Sequence, residues 1–141
     1  MIEDELEGGN NGTAGRRSRG DGGGRATLAA VFDALAHRRR RQLCRLVREH
    51  GDSSLEDLAM DIAALEVDPP GRSVTNYEWE GVYAALYHAH VPKLAELGVI
   101  EFGSDDETVA PGELFDAVTG ALRAVEREVA SVDAAADVDD E

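Results

Sequence analysis

Four arginines with a common helical spacing are the residues of this chain best suited to bind a charged ligand. At about 100° per residue they fall within an arc of roughly 80° on one helix face. They are Arg38, Arg41, Arg45 and Arg48. A guanidinium group can pair with two phosphate oxygens at once, so this face could follow a nucleic-acid backbone. The alternative is a solvated helix face paired with acidic neighbours such as Asp33, Glu49 or Asp52.

A second group of polar side chains that could contact nucleic acid lies between residues 81 and 93. The outward face of the helix predicted there carries Gly81, Ala84, Ala85 and His88, with Tyr87 at its flank. Small residues would let the helix approach a groove closely, and Tyr87, His88 and Lys93 could bond to bases or phosphates. The face carries no Arg, Asn or Gln for bidentate base contacts, so a protein partner fits it equally well.

Catalytic and metal chemistry are not predicted. The sequence presents no nucleophile–base pair, phosphate-binding glycine loop or close carboxylate pair, so we expect no enzyme activity and no cofactor. Cys44 is the single cysteine, which rules out an internal disulfide and a multi-cysteine metal site. His88 and His90 diverge on a helix, whereas neighbouring metal ligands would need i, i+4 spacing, so we expect no metal.

Several conspicuous side chains are predicted to be structural. Arg39 points nearer the apolar stripe of its helix than the other arginines do. His90 falls in an apolar arc, where a buried core histidine is the favoured interpretation over a ligand. Trp79, Tyr83 and Tyr77 are predicted to pack in or near the core, and an aromatic ligand cage is the less favoured alternative.

The charge of the chain is strongly negative and unevenly distributed. The net charge is −15, from 29 acidic and 14 basic residues, and Lys93 is the single lysine. Acid excess with almost no lysine resembles proteins of extreme halophiles, whose carboxylate-rich surfaces stay hydrated in molar salt. At about 1 M salt the screening length falls to roughly 3 Å, so the net charge argues only weakly against DNA binding.

The sequence predicts a cytoplasmic protein. No apolar run approaches the roughly 18 residues needed to span a bilayer. The N-terminal stretch MIEDELEGG lacks the cationic and hydrophobic regions of a signal peptide. We therefore expect no membrane partner.

The elements that would position these side chains form one predicted domain, residues 26–130. Residues 1–25 are Gly-rich and charged, which predicts a disordered leader, and residues 131–141 form an acidic disordered tail. The first helix carries an apolar stripe of Leu28, Val31, Phe32 and Leu35. A second helix runs from about residue 38 to residue 50 and stops at Gly51.

The middle of the domain is predicted to hold two capped helices separated by a loop. Ser53 with Glu56 gives a capping box for the third helix. Residues 67–74, with two prolines and a glycine, form the loop. Thr75 with Glu78 gives a second capping box, which opens the fourth helix.

The end of the domain is predicted to combine a broken helix, a hairpin and a last helix. Pro92 removes a helical hydrogen bond, which predicts a kink or break near Val91. Gly98 fits a left-handed C-cap. A hairpin of residues 99–102 and 108–110 follows, and the last helix covers about residues 112–130.

This order of elements resembles winged helix-turn-helix regulators of the arsenic-repressor and multiple-antibiotic-resistance-regulator types. More narrowly, FDALAHRRRRQLCRLV, SLEDLA and VYAALYHAHVPKLAELGVIEF resemble a winged-helix domain family of unknown function from halophilic archaea. The likeness covers residues 28–110 and is most specific at LYHxHxPKLxxxGVIE. It implies a mainly α fold with a small β-hairpin, a winged helix-turn-helix and a role in transcription.

We therefore predict a sequence-specific regulator that binds double-stranded DNA through the four arginines together with Tyr87, His88 and Lys93. The alternative is a winged-helix protein-interaction module that does not read DNA. The last helix has one apolar stripe, which consists of Leu114, Val118, Ala121, Leu122, Val125 and Val129. This stripe either completes the monomer core or pairs with its copy, and a homodimer through Leu114–Val129 is favoured.

Overall fold

The computed structural model describes residues 21–139, with the backbone alone described at residues 21–23, 25, 26 and 137–139. The elements in chain order are α1 Asp21–Leu35, α2 Arg38–His50, β1 Ser53–Ser54, α3 Leu55–Glu66, α4 Asn76–Ala85, a π-helical turn Leu86–His90, α5 Val91–Glu96, β2 Ile100–Gly103, β3 Thr108–Pro111 and α6 Phe115–Asp139. The three strands form an antiparallel sheet in the order β1-β3-β2. The prediction of a mainly α fold with a small β-hairpin is confirmed.

Both end helices extend beyond the predicted limits of the domain. α1 begins at Asp21, so the last part of the predicted leader, residues 1–25, is helical, while residues 1–20 lie outside the described part of the chain. α6 continues to Asp139, through most of the predicted tail, residues 131–141. Alanine is the best helix former, and residues 134–136 are all alanine. Extending an existing helix also avoids the unfavourable nucleation step.

The apolar stripe predicted for α1 is wrong at two of its four positions. Leu28 and Phe32 are 55% and 65% exposed, whereas Val31 is buried. Ala30 and Ala34 complete the buried side of this helix, which packs against α6. Small side chains allow two helices to approach closely, and a search for large apolar residues overlooks such a face.

The turn between α2 and α3 is capped differently from the prediction. The N-cap of α3 is Ser54, whose Oγ accepts a hydrogen bond of 3.1 Å from the Asp57 N–H. Ser53 instead donates its hydroxyl to the Gly51 carbonyl at 2.8 Å. The capping box predicted for Ser53 and Glu56 is therefore wrong. The reason is that both serines pair with β3 as strand β1, so the helix begins one residue later.

The junction between α5 and the hairpin follows the prediction. Gly98 adopts a left-handed conformation, with φ of 81°. Its N–H donates to the Ala95 carbonyl at 3.1 Å, and the Val99 N–H donates to the Leu94 carbonyl at 2.9 Å. This pair of bonds is the Schellman motif, and it turns the chain directly into β2.

The core lies between α2, α3, the π-helical turn, α5 and the sheet. Its largest fully buried side chains include Leu43, Leu55, Leu58, Ile62, Leu86, Leu94 and Ile100. The first half of α6 joins this core through Phe115 and Val118. The helical segment from α4 to α5 is thus anchored along its inner side, and its outer side is available to solvent.

Candidate nucleic-acid interface

The start of α4 is fixed by the predicted capping box, which is confirmed. The Glu78 carboxylate accepts the Thr75 N–H at 2.9 Å, and Thr75 Oγ1 accepts the Glu78 N–H at 3.1 Å. Arg72 also donates to Glu78 at 2.7 Å. These contacts, that of Arg72 above all, lower the pKa of Glu78 to about 2. The carboxylate stays ionised, so α4 begins at a defined residue.

A π-helical turn then changes the direction of the side chains that follow α4. Pro92 has no N–H and cannot bond to the His88 carbonyl. The Val91 N–H bonds to the Leu86 carbonyl, five residues back. The break predicted near Val91 is therefore present as a π-helical turn, which is often found at functional sites.

The outer side of this helical segment exposes three of the four residues predicted for it, whereas Ala85 is half-buried. Gly81, Ala84 and His88 are exposed, and Tyr87 is 40% exposed. The proposed DNA-contact residues Tyr87 and His88 thus lie on an accessible surface beside the hairpin. Whether they contact DNA stays a prediction.

Lys93 lies in a small charge cluster between α1, α2 and α5. Its ammonium group is 3.3 Å from an Asp33 carboxylate oxygen. Arg40 also pairs with Asp33, and its guanidinium donates to the Asp33 carbonyl at 2.7 Å. A phosphate that bound Lys93 would therefore compete with an existing carboxylate contact.

His90 is a buried histidine, as predicted. It is 7% exposed, and its Nδ1 accepts a hydrogen bond from Arg40 Nε at 3.3 Å. Its ring centroid is 4.2 Å from that of His37. Burial, and then the nearby His37 and Arg40, lower the pKa of His90 to about 4. The side chain is therefore uncharged at neutral pH.

The four arginines of α2 do not form one open face. Arg38 is exposed, but Arg41 donates to the Leu35 carbonyl at 2.7 Å, and Arg45 forms an ion pair with Glu126 of α6. Arg48 is half-buried, and its Nη1 has no hydrogen-bond partner among the described residues. α6 therefore covers part of the face that the sequence proposed for phosphate binding.

Arg39 has the structural role that its position predicted. It forms two hydrogen bonds of 2.8 Å with the Glu66 carboxylate, which join α2 to the end of α3. The hydrogen bond to Arg39 is the main cause of a lowered pKa at Glu66. Cys44 is buried, and desolvation raises the pKa of its thiol to about 12, so it is not a reactive thiolate.

Aromatic side chains line the flank of α4 that faces the hairpin. The rings of Trp79 and Tyr83 stack at 5.2 Å, and those of Tyr83 and Tyr87 stack at 6.1 Å. Trp79 and Tyr83 are partly buried against the core, as predicted. Tyr77 is 83% exposed, so its predicted core position is wrong. It lies on the outer side of the first turn of α4.

Glu107 is the residue at this surface that sequence reasoning missed. It is the one non-glycine residue with positive φ, 54°, in the part of the chain that the structure describes. Its carboxylate accepts the Tyr83 hydroxyl at 2.5 Å, and this hydrogen bond is the main cause that raises the pKa of Tyr83 to about 12. A glutamate in a hairpin turn carries no sequence signal for such a role.

The structure offers no preformed metal site within residues 21–139. No group of three His, Cys, Asp or Glu side chains in that range could hold a metal ion. Nor does any helix of that range combine the length and apolarity required to cross a bilayer.

The fold defines a mainly helical domain with a small antiparallel sheet. The chain belongs to the family described as Domain of unknown function (DUF7344), whose model matches residues 32–110. The match runs from α1 to β3 and so includes α4 and the hairpin. A search of curated proteins and a search of solved structures each found no match. Membership in this family assigns no activity, so function must be argued from the surface itself.

Proposed function

We propose that this protein is a DNA-binding transcriptional regulator of the winged helix-turn-helix type. Two observations support the fold assignment: α3 and α4 pack as a helix pair, and the hairpin that follows α5 joins a sheet of order β1-β3-β2. One feature differs from a compact helix-turn-helix: the loop between α3 and α4 is longer than the usual turn of three or four residues. In the proposed domain α4 is the recognition helix, and the hairpin is the wing.

The observation that carries the proposal is the exposed small-residue face of α4. Gly81 and Ala84 leave the backbone accessible, so the helix could lie deep in a major groove. His88 and Tyr87 follow on the exposed side and can bond to base edges or phosphates. Arg38 is the exposed member of the arginine set and the best candidate for a phosphate contact.

The acidic surface around this helix makes the binding dependent on salt. Asp105 and Asp106 lie exposed at the tip of the hairpin, where a wing usually meets phosphate. In dilute salt they repel the DNA backbone. At about 1 M salt the screening length is roughly 3 Å, so direct contacts decide the affinity. We therefore expect measurable DNA binding in molar potassium chloride.

We also propose that the protein forms a homodimer through α6. The predicted interface, Leu114–Val129, divides into two parts, because Phe115, Val118 and Leu122 are buried in the monomer. Val125, Val129 and Val132 continue the same spacing of three and four residues and are 53%, 52% and 65% exposed. A spacing of this kind is that of a coiled-coil seam, which supports a second helix on this side.

The test is selection of genomic DNA fragments across a range of potassium chloride concentrations up to molar. We expect the wild-type protein to enrich a defined set of fragments. The Arg38→Ala/His88→Ala double variant should bind these fragments about tenfold more weakly. The control is the Arg123→Ala/His50→Ala double variant, which removes the same residue types at exposed positions elsewhere.

Two results would contradict the proposal. Failure of the wild-type protein to enrich any sequence at any salt concentration would remove the regulator function. Equal weakening by the test and control variants would show that total charge, and not the α4 surface, governs binding.

The second candidate function, a protein-interaction module, is favoured by the carboxylates at the hairpin tip.

A further inference from the structure

We propose that the flank of α4 beside the hairpin binds an arginine-rich segment of a partner protein. The surface has two parts. The aromatic strip consists of Trp79, Tyr83, Tyr87 and Phe102. The acidic rim consists of Glu56, Asp105, Asp106 and Glu107. Tyr87 is shared with the DNA contacts proposed above, but the other residues of the strip and the rim are not, and the inference does not depend on DNA binding.

The aromatic strip is a continuous row of rings. Trp79, Tyr83 and Tyr87 recur every four residues, and the planes of Tyr83 and Tyr87 are within 7° of parallel. Phe102 on β2 meets the Tyr87 ring edge to face, with 6.3 Å between centroids. Tyr87 is 40% exposed and the other three rings are half-buried. The strip thus offers aromatic surface to solvent along more than two helical turns.

The acidic rim lies directly beside the strip. Trp79 Nε1 donates to the Glu56 carbonyl at 3.2 Å, and Tyr83 donates to the Glu107 carboxylate. A cavity of about 260 Å³ opens between the start of α3 and the hairpin tip. It is lined by Ser54, Leu55 and the four rim residues. A side chain that entered this cavity would meet the acidic rim, and two of the lining residues, Glu56 and Glu107, are hydrogen-bonded to the rings of Trp79 and Tyr83.

Glu107 holds the two parts of the surface in a fixed relation. Its carbonyl accepts the Leu55 N–H at 2.9 Å, and its carboxylate accepts the Tyr83 hydroxyl. A non-glycine residue with φ of 54° is held in a sparsely populated conformation, which the surrounding contacts must maintain. The hairpin tip, α3 and the aromatic strip are therefore joined at one residue.

Charge and shape together select the occupant. Guanidinium groups stack on aromatic faces and pair with carboxylates in a planar fork, so arginine satisfies both parts of the surface. A nucleic-acid base could stack on the rings, but its phosphate would face four carboxylates. Among residues 21–139 the carboxylates form no metal site. A basic peptide is therefore the ligand that the surface fits best.

The chain contains a built-in reporter for this interaction. Trp79 is its single tryptophan, and it lies in the aromatic strip. The probe is a short peptide of alternating glycine and arginine, titrated into the full chain at about 0.15 M salt, where the screening length is roughly 8 Å. We expect saturable change of Trp79 fluorescence, and a weaker response to the lysine version of the same peptide.

Variants separate the contributions of the rings and the carboxylates. Tyr87→Ala should weaken peptide binding about two- to fivefold, because a partly exposed cation–π contact is lost. Asp105→Asn/Asp106→Asn should weaken it by a similar factor, and the new amide oxygen can still accept the Thr108 N–H that Asp106 accepts now. The controls are Tyr77→Ala on the outer side of α4 and Asp61→Asn/Glu113→Gln elsewhere.

The proposal stands if both test variants weaken binding and both controls match the wild type. It is overturned if the arginine peptide leaves Trp79 fluorescence unchanged. It is equally overturned if the control Asp61→Asn/Glu113→Gln weakens binding as much as Asp105→Asn/Asp106→Asn does. It is also overturned if a single-stranded oligonucleotide binds the strip and the peptide does not. Circular dichroism of Tyr87→Ala checks that its helices are intact.

Discussion

At the residue scale, the side chains that organise this protein are polar groups with precise partners. Arg39 bonds twice to Glu66, Arg40 bridges Asp33 and His90, and Glu107 accepts the Tyr83 hydroxyl. Charge-assisted bonds of this kind are about twice as strong as neutral ones. They join separate elements, across 24 to 50 residues in every case but Arg40 with Asp33, which are seven residues apart.

The buried His90 makes the stability depend on pH. Its pKa is about 4 in the folded protein, against 6.5 for a free histidine. Between these values the unfolded chain binds the proton that the folded chain excludes. The contribution of His90 to the free energy of unfolding is therefore fully present above about pH 6.5. It decreases as the pH falls toward 4, by up to about 1.4 kcal/mol per pH unit.

The variant that tests this is His90→Asn, whose amide oxygen can replace Nδ1 as the acceptor for Arg40. Urea unfolding from pH 7 to pH 4 should give a flatter profile for His90→Asn than for the wild type. The exposed His50 provides the control, since His50→Asn should leave the wild-type slope unchanged. Identical slopes in all three proteins would exclude His90 as the source of the pH dependence of stability.

At the element scale, short local signals set where helices begin, break and end. The Thr75–Glu78 capping box starts α4, Pro92 accompanies the π-helical turn, and Gly98 ends α5. Each signal acts through one or two neighbouring backbone groups, so it is visible in the sequence. The Ser53–Glu56 pair had the same pattern and failed, because strand pairing with β3 shifted the cap to Ser54.

Two glycines should respond in opposite ways to the same substitution. Gly98 has φ of 81°, so Gly98→Ala should destabilise the protein by about 1 kcal/mol or more. Gly120 lies within α6 in ordinary helical conformation, and Gly120→Ala should stabilise by about 0.5–1 kcal/mol. A β-carbon at either position would meet no atom within 4 Å, so packing does not confuse the comparison.

Thermal and urea unfolding of the two alanine variants measure this difference directly. Each variant serves as the other's control, because an error shared by the two unfolding analyses cancels in the difference between their free energies of unfolding. A stable Gly98→Ala protein would mean that the α5–hairpin junction does not need its left-handed residue.

At the scale of the whole molecule, α6 divides its apolar stripe between the core and solvent. Its first turns complete the monomer, and Val125, Val129 and Val132 remain exposed. Glu128 and Asp133 lie beside this exposed part. Two copies of such a helix attract through valine and repel through carboxylates, so salt should control the association.

We expect the dimer fraction to rise from low to molar potassium chloride in sedimentation experiments. The Val125→Ser/Val129→Ser variant should stay monomeric at all salt concentrations, since burial of the seam is lost. The Ala130→Ser/Ala134→Ser variant changes the same helix off the seam and should behave as the wild type. Dimers of unchanged strength in the valine variant would place the interface elsewhere.

Much of the fold could be predicted because its signals are local. Helical periodicity gave α2 to α5, and the caps, the proline and the glycines gave most of their limits. Amphipathic spacing also placed His90 inside and His88 outside. The surface could be predicted less well, since the exposure of Tyr77, Leu28 and Phe32 depends on which neighbours pack beside them.

The start of α4, the break before Pro92 and the turn at Gly98 are encoded locally, because each depends on one residue and its nearest neighbours. Which charged side chains are free to bind a ligand depends, in contrast, on the tertiary structure. It paired Arg45 with Glu126, 81 residues away, and joined Glu107 to Tyr83. Such partners follow from how helices and strands pack in three dimensions, and no periodicity along the chain records that arrangement.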